Sequence, residues 1–121
     1  MNIHKSAEDY LERILMLQKS GMKVRSTDIA QSFNYSRASV SRAINNLKNS
    51  NHILVDENGI ITLTDLGKKV AEKMYNRHKL LTEFFVSLGV KTEVALEDAC
   101  KIEHDLSEET FAALTNHINK K

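Results

Sequence analysis

One stretch of this chain abandons helical spacing. Ile53-Leu54-Val55, the turn Asp56-Glu57-Asn58-Gly59 and Ile60-Ile61-Thr62-Leu63 read as a β-hairpin, with Asn58-Gly59 placed to supply the positive φ angles of a tight turn. Before it, Ala7, Tyr10, Leu11, Ile14, Leu15 and Leu17 mark an amphipathic helix ending before Gly21. Ser26-Thr27-Asp28 offers capping oxygens to a short second helix carrying Ile29, Ala30 and Phe33. Asn34-Tyr35 makes a turn, and Ser36 caps a third helix that buries Val40, Ala43, Ile44 and Leu47. After the hairpin, Thr64 caps a long helix to about Leu88, which Gly89 ends. A further helix covers residues 93–105, and Ser107 with Glu109 and Thr110 opens a last one. The expected fold class is mainly α: a winged helix-turn-helix over residues 1–63, then a helical region over residues 64–121.

The 121 residues suit one compact domain, or a small domain sharing its core with an appended subdomain. A hydrophobic share of 41% with mixed charge excludes a disordered tail. No apolar run approaches the ~18 residues that would span a bilayer. Met1-Asn2-Ile3-His4-Lys5-Ser6 lacks the apolar stretch of a secretion signal. The lone Cys100 has no internal disulfide partner, which suits a reducing cytoplasm. A soluble cytoplasmic protein with no membrane association is therefore expected. The net charge of +1 conceals an asymmetry. Residues 21–50 hold Lys23, Arg25, Arg37, Arg42 and Lys48 against Asp28 alone. Residues 89–113 hold Lys91 and Lys101 against Glu93, Glu97, Asp98, Glu103, Asp105, Glu108 and Glu109. The first segment suits an anionic polymer and the second a cation.

Two short helices joined by a tight turn and followed by a hairpin form a pattern that reads duplex DNA, because the second helix fits the major groove. The candidate contacts are Ser36, Arg37, Ser39, Ser41 and Arg42, with Arg25 ahead of them in the basic segment. Arginine can donate two parallel bonds to a guanine edge, and serine is short enough to bring the backbone close to phosphate. Asp56 and Glu57 at the hairpin tip argue against a wing contact. The same shape occurs in proteins that bind only other proteins; the basic balance and the hairpin favour DNA.

Candidate metal ligands come from separate segments. Asp9 and Glu12, three apart on the first helix, point to one side. His78 lies on the long helix, and Cys100, Glu103 and His104 stand at i, i+3 and i+4, which share a helical face. Such an oxygen, nitrogen and sulfur set matches Fe(II), Co(II), Ni(II) or Zn(II), and tolerates Mn(II) when oxygens dominate. Each residue alone has a plainer account. Cys100 could be a small buried hydrophobe, His78 a surface histidine between Arg77 and Lys79, and Asp9 and Glu12 ion-pair partners of Lys5 and Arg13. Their combination favours a metal. His4, His52 and His117 lack such company and receive no role.

These segments resemble the metal-dependent repressors named after the diphtheria toxin repressor, and their short manganese-responsive relatives. The matching runs are Glu8-Asp9-Tyr10-Leu11-Glu12, Ser26-Thr27-Asp28-Ile29-Ala30, Ser39-Val40-Ser41-Arg42 and Leu63-Thr64-Asp65-Leu66-Gly67-Lys68. Arg77-His78-Lys79-Leu80-Leu81 and the long run from Glu97 to Ser107 complete the series. The resemblance implies a homodimer with a helical dimerisation region, a divalent metal, Fe(II) or Mn(II), as corepressor, and a palindromic duplex operator. Position by position it implies Asp9, Glu12, His78, Cys100, Glu103 and His104 as the metal site. Asp9 is the manganese-type choice and Cys100 the iron-type choice, so the set is a hybrid. Thr82 stands where a second-site glutamate is usual, and Leu96 where iron-type members place a histidine, which argues against a complete second site. The resemblance is to a short form without the C-terminal β-barrel domain. Dimer contacts are then expected from Phe84, Phe85, Leu88, Phe111 and Leu114. The alternative is a winged-helix regulator without metal control. No metalloprotease motif or phosphate-binding glycine loop points to an enzyme.

Overall fold

The computed structural model describes the backbone of residues 3–120 and the side chains of residues 7–120. Met1, Asn2 and the side chains of His4 and Lys5, considered above, lie outside the described residues. The elements are α1 (Ile3–Lys19), α2 (Ser26–Phe33), α3 (Arg37–Asn49), β1 (Ile53–Val55), β2 (Ile61–Leu63), α4 (Asp65–Ser87), α5 (Thr92–Ile102) and α6 (Glu108–Asn119). The chain forms two compact units, Met1–Lys73 and Met74–Lys121, and the division falls within α4.

In the first unit, α1 stops where Gly21 takes φ +91° and the Met22 amide turns back to Leu17 O. Its stripe of Leu11, Ile14 and Leu15 is buried. The start of α2 differs in detail from expectation. Ser26 is its first residue, and Asp28 Oδ2 accepts from the Arg25 amide at 2.9 Å. Asn34, at φ 60°, closes α2 in the left-handed region that asparagine tolerates. Ser36 then caps α3 by accepting from the Ser39 amide at 3.2 Å, and Val40, Ile44 and Leu47 face inward at helical spacing.

The two strands pair antiparallel with Ile53 opposite Leu63 and Val55 opposite Ile61. Their turn closes differently from the expected one. Gly59 has positive φ but Asn58 does not; instead Asp56 Oδ1 accepts from the amides of Asn58 at 2.8 Å and Ile60 at 2.9 Å. A carboxylate that satisfies two turn amides makes a second left-handed residue unnecessary. The Ile61 amide also donates to Val24 O at 2.8 Å, fastening the loop after α1 to the hairpin. Leu11, Ile14, Val24, Ile29, Val40, Ile53 and Ile61 are each at most 1% exposed, so α1, α2, α3 and both strands contribute to the core of the first unit. Each such side chain is worth about 1.5–3 kcal/mol on burial before chain entropy is set against it.

Helix α4 opens as the sequence predicts. Thr64 Oγ1 accepts from the Gly67 amide at 3.1 Å and donates to Asn51 O at 2.7 Å. In the second unit, Met74, Leu81, Ala95 and Ala99 are buried. Gly89, at φ +100°, ends the long helix. Helix α5 is shorter than the expected 93–105. It ends at Ile102 with Glu103 as its C-cap, and a turn leads to Ser107, which caps α6 by accepting from the Thr110 amide at 3.0 Å. No residue of α6 is buried, and Phe84, Phe85, Phe111 and Leu114 are only half-buried. Leu88 is 65% exposed. Among the described residues, no helix is long and apolar enough to cross a membrane.

Candidate metal centre and nucleic-acid interface

The first unit carries two candidate surfaces. On α1, Asp9 is half-buried and Glu12 buried, and a carboxylate oxygen of one lies within 4.8 Å of the other's. The i, i+3 spacing places them together, as expected. Arg13, considered above as an ion-pair partner, has its guanidinium over the Phe33 ring at 4.6 Å from the centroid. The buried Tyr10, next to Asp9 on α1, packs edge-on against Phe33 at 5.4 Å, and Phe33 stacks on Tyr35 at 4.9 Å. Burial, and secondarily the neighbouring Tyr35, push the Tyr10 phenol above its ordinary range. This aromatic cluster ties α1 to the turn that launches α3.

The recognition-helix candidates Ser36, Arg37, Ser39, Ser41 and Arg42 are all exposed on α3 or its cap. Ser36 is partly engaged in the helix, since its hydroxyl donates to Ser39 Oγ at 2.9 Å. A groove of about 700 Å³ lies beside this surface, with Asp9, Tyr35, Ser36, Ser39, Arg42 and Asn46 among the residues that line it. Arg25 lies apart from the helix: its Nε donates to Asn58 O at 3.2 Å and so braces the hairpin turn.

In the second unit the candidates cluster around Glu103, which is fully buried. His78 Nδ1 shares a hydrogen bond with Glu103 Oε2 at 3.0 Å, and Oε1 lies 3.4 Å from Nε2 of His104. When Glu103 is ionised, as a metal ligand must be, its oxygens can only accept, and the hydrogen of this pair then sits on His78 Nδ1. A histidine oriented by a carboxylate in this way is the common arrangement of a metal-ligating imidazole. A buried carboxylate flanked by two imidazoles is thus a donor set that fits a divalent transition ion. Cys100 is placed otherwise than its neighbours. Glu103, the C-cap of α5, keeps helical dihedrals and its amide bonds Ala99 O at 3.0 Å, yet Cys100 is exposed while Glu103 is fully buried.

Sequence reasoning missed one residue of this cluster. Arg77, treated above only as a charged neighbour of His78, is 2% exposed. Its Nη1 donates to Glu103 O at 2.9 Å and to Leu106 O at 2.7 Å, and its Nη2 bonds Glu108 Oε1 at 3.2 Å. The available signal was spacing: Arg77 stands between Met74 and Leu81 on the apolar stripe of α4.

Comparison with known proteins agrees with both halves. Residues 2–59 match the iron dependent repressor N-terminal DNA binding domain, and residues 64–120 match the iron dependent repressor metal binding and dimerisation domain. An uncharacterised HTH-type transcriptional regulator of Methanocaldococcus jannaschii is 33% identical over 95% of this chain and 94% of its own. The HTH-type transcriptional regulator MntR of Bacillus subtilis is 33% identical over 84% of this chain and 72% of its own. A solved manganese-dependent transcriptional repressor in complex with manganese is 31% identical, with a TM-score of 0.85 over 93% of this chain and 52% of that one. The chain thus spans about half the length of that solved repressor. With both domains matched in order and a third of the residues shared with a relative covered nearly end to end, this chain belongs to the iron-dependent repressor family.

Proposed function

We propose that the chain is a metal-responsive transcriptional repressor that binds a palindromic duplex operator as a homodimer, with Mn(II) or Fe(II) as corepressor, in the cytoplasm. It acts by binding rather than by turnover. The observation that carries this reading is the fully buried Glu103 carboxylate between His78 and His104, in a chain whose other unit presents an exposed, basic reading helix. The proposed ligands are Asp9, Glu12, Glu103 and His104, with His78 and Cys100 as further donors. Oxygen dominates the buried members of this set, which suits Mn(II), whereas the Cys100 thiolate is the donor that suits Fe(II).

When bound, the ion supplies the positive charge that offsets Asp9, Glu12 and Glu103. The protein's own part is mechanical. Asp9 and Glu12 sit on α1, whose Tyr10 packs against Phe33 at the turn into α3. Fixing α1 therefore fixes the reading helix. Operator half-sites lie about 34 Å apart, so a small rotation of either reading helix spoils simultaneous docking. Without the ion, the clustered carboxylates repel and the DNA-competent arrangement loses its advantage. The half-buried faces of Phe84, Phe85, Phe111 and Leu114 are the proposed contact between protomers.

The test is operator binding in chelator and then with each divalent ion in turn, under anaerobic, reducing conditions. Binding stimulated by Mn(II) or Fe(II) supports the proposal; equal affinity in chelator and metal leaves a winged-helix regulator without metal control. Arg42→Ala is expected to weaken operator binding by roughly 5- to 150-fold, the range of one lost bidentate base contact. Its Mn(II) affinity in the absence of DNA should stay at the wild-type value, as measured by equilibrium dialysis.

A further inference from the structure

The second unit holds Glu103 from two directions, and both grips come from consecutive residues of α4. His78 takes the carboxylate at 3.0 Å, while Arg77 takes the main-chain carbonyl of the same residue at 2.9 Å. The Arg77 guanidinium also holds Leu106 O at 2.7 Å and Glu108 Oε1 at 3.2 Å, and lies 5.1 Å from the Phe111 ring centroid. It therefore spans the C-terminus of α5, the whole turn from Glu103 to Leu106, and the first turn of α6. The last carbonyls of a helix have no partner within it, and a cation there is doubly favourable, as a donor and against the helix dipole. A buried guanidinium is costly to place, and here Nη1 is spent on the backbone of the turn that carries Glu103 and His104, Nη2 goes to the Glu108 side chain, and Nε meets no acceptor among the described residues.

Resting on the metal-site reading above, we propose that Arg77 is a positioning residue for the metal centre. It sets the backbone of the 103–106 turn so that Glu103 and His104 face their shared ion before the ion arrives, and it links that turn to the start of α6. The fork geometry matters as well as the charge, because one Nη1 serves two carbonyls while Nη2 reaches Glu108.

Two variants of the full chain test this, Arg77→Met, close in volume, and Arg77→Lys, which keeps the charge and one donor group. Mn(II) affinity is read from the electron paramagnetic resonance signal of free Mn(II), and site geometry from the visible spectrum of the Co(II)-loaded protein. Partners behind metal ligands are commonly worth 10- to 100-fold in affinity, so Arg77→Met is expected to weaken Mn(II) binding by at least ~10-fold and to alter the Co(II) spectrum. Arg77→Lys should recover part of the affinity. Leu81→Ala, a buried core change on the same helix, serves as the control for lost stability and should leave Mn(II) affinity within about threefold of wild type.

If Arg77→Met folds and binds Mn(II) as wild type does, the proposal is overturned. It is equally overturned if Leu81→Ala loses as much affinity, for then Arg77 matters only to stability. Should Arg77→Met fail to fold, Arg77→Lys decides: an unchanged affinity and spectrum reject the positioning role. Failure of wild-type protein to bind Mn(II) or Co(II) at all would instead reject the metal site itself, a separate outcome.

Discussion

Glu103→Gln is expected to abolish the metal response while leaving the protein folded. The side chain is fully buried, with one oxygen 3.0 Å from His78 Nδ1 and the other 3.4 Å from His104 Nε2. Glutamine keeps the shape and can still accept from His78 through its carbonyl oxygen, so the packing survives. The charge does not. Since partners behind metal ligands already cost 10- to 100-fold, loss of a central ligand charge should cost at least ~100-fold in Mn(II) affinity. Thermal melting separates this from a folding defect. Wild-type protein should gain about 2.7 kcal/mol in free Mn(II) at a hundred times its Kd, and the variant should gain no more than about 0.4 kcal/mol at that concentration. In chelator the variant should be at least as stable as wild type, because a buried carboxylate carries a desolvation cost that an amide avoids. A variant that is stimulated by Mn(II) as strongly as wild type would remove Glu103 from the site.

Gly67→Ala is expected to be the most destabilising single-methyl change in the first unit. A Cβ at this position would lie 2.0 Å from His52 O and 2.9 Å from His52 C. Both are backbone atoms, so no rotamer change relieves the clash. His52 O is also held by the Thr64 amide at 3.1 Å, and Asn51 O by Thr64 Oγ1 at 2.7 Å. Moving the segment before β1 therefore breaks the bonds that start α4. Overpacking usually costs about 1–3 kcal/mol, and a rigid backbone contact belongs at or beyond the top of that range. Urea unfolding should show the midpoint falling at unchanged slope. A loss under 1 kcal/mol, roughly, would mean that α4 shifts easily relative to the hairpin.

The fold was legible where a local signal has one physical solution. Ser36, Thr64 and Ser107 each precede an apolar-periodic run and each caps its helix through the amide three residues on. The hairpin was readable from its period, but its turn was not. Asp56 competes with Asn58 for the same role, and only the folded geometry shows that its carboxylate takes two amides. The expected end of α5 at Asp105 overshoots: Glu103 keeps helical dihedrals and bonds Ala99 O, but the Asp105 amide turns to Ile102 O, and Arg77 bonds Glu103 O and Leu106 O across this turn.

The candidate site was legible by residue type more than by geometry. Asp9 and Glu12 come together as their spacing requires, and Glu103 gathers His78 and His104. Cys100 is exposed, because it sits on the outward side of α5's last turn while Ala99 takes the buried position. Arg77 escaped notice for a physical reason: a charged residue on an apolar stripe is expected to reach for solvent, and its burial becomes favourable only once backbone carbonyls elsewhere in the chain converge on it.

The central claim is that metal and operator favour one arrangement of the chain, and linkage makes it measurable from the opposite side. Mn(II) affinity should be determined by titration with and without saturating operator duplex, next to operator affinity with and without saturating Mn(II). The account predicts that the two ratios agree, each falling in the range of roughly 5- to 150-fold that couplings of this kind span. A Mn(II) affinity that is indifferent to the operator would contradict it.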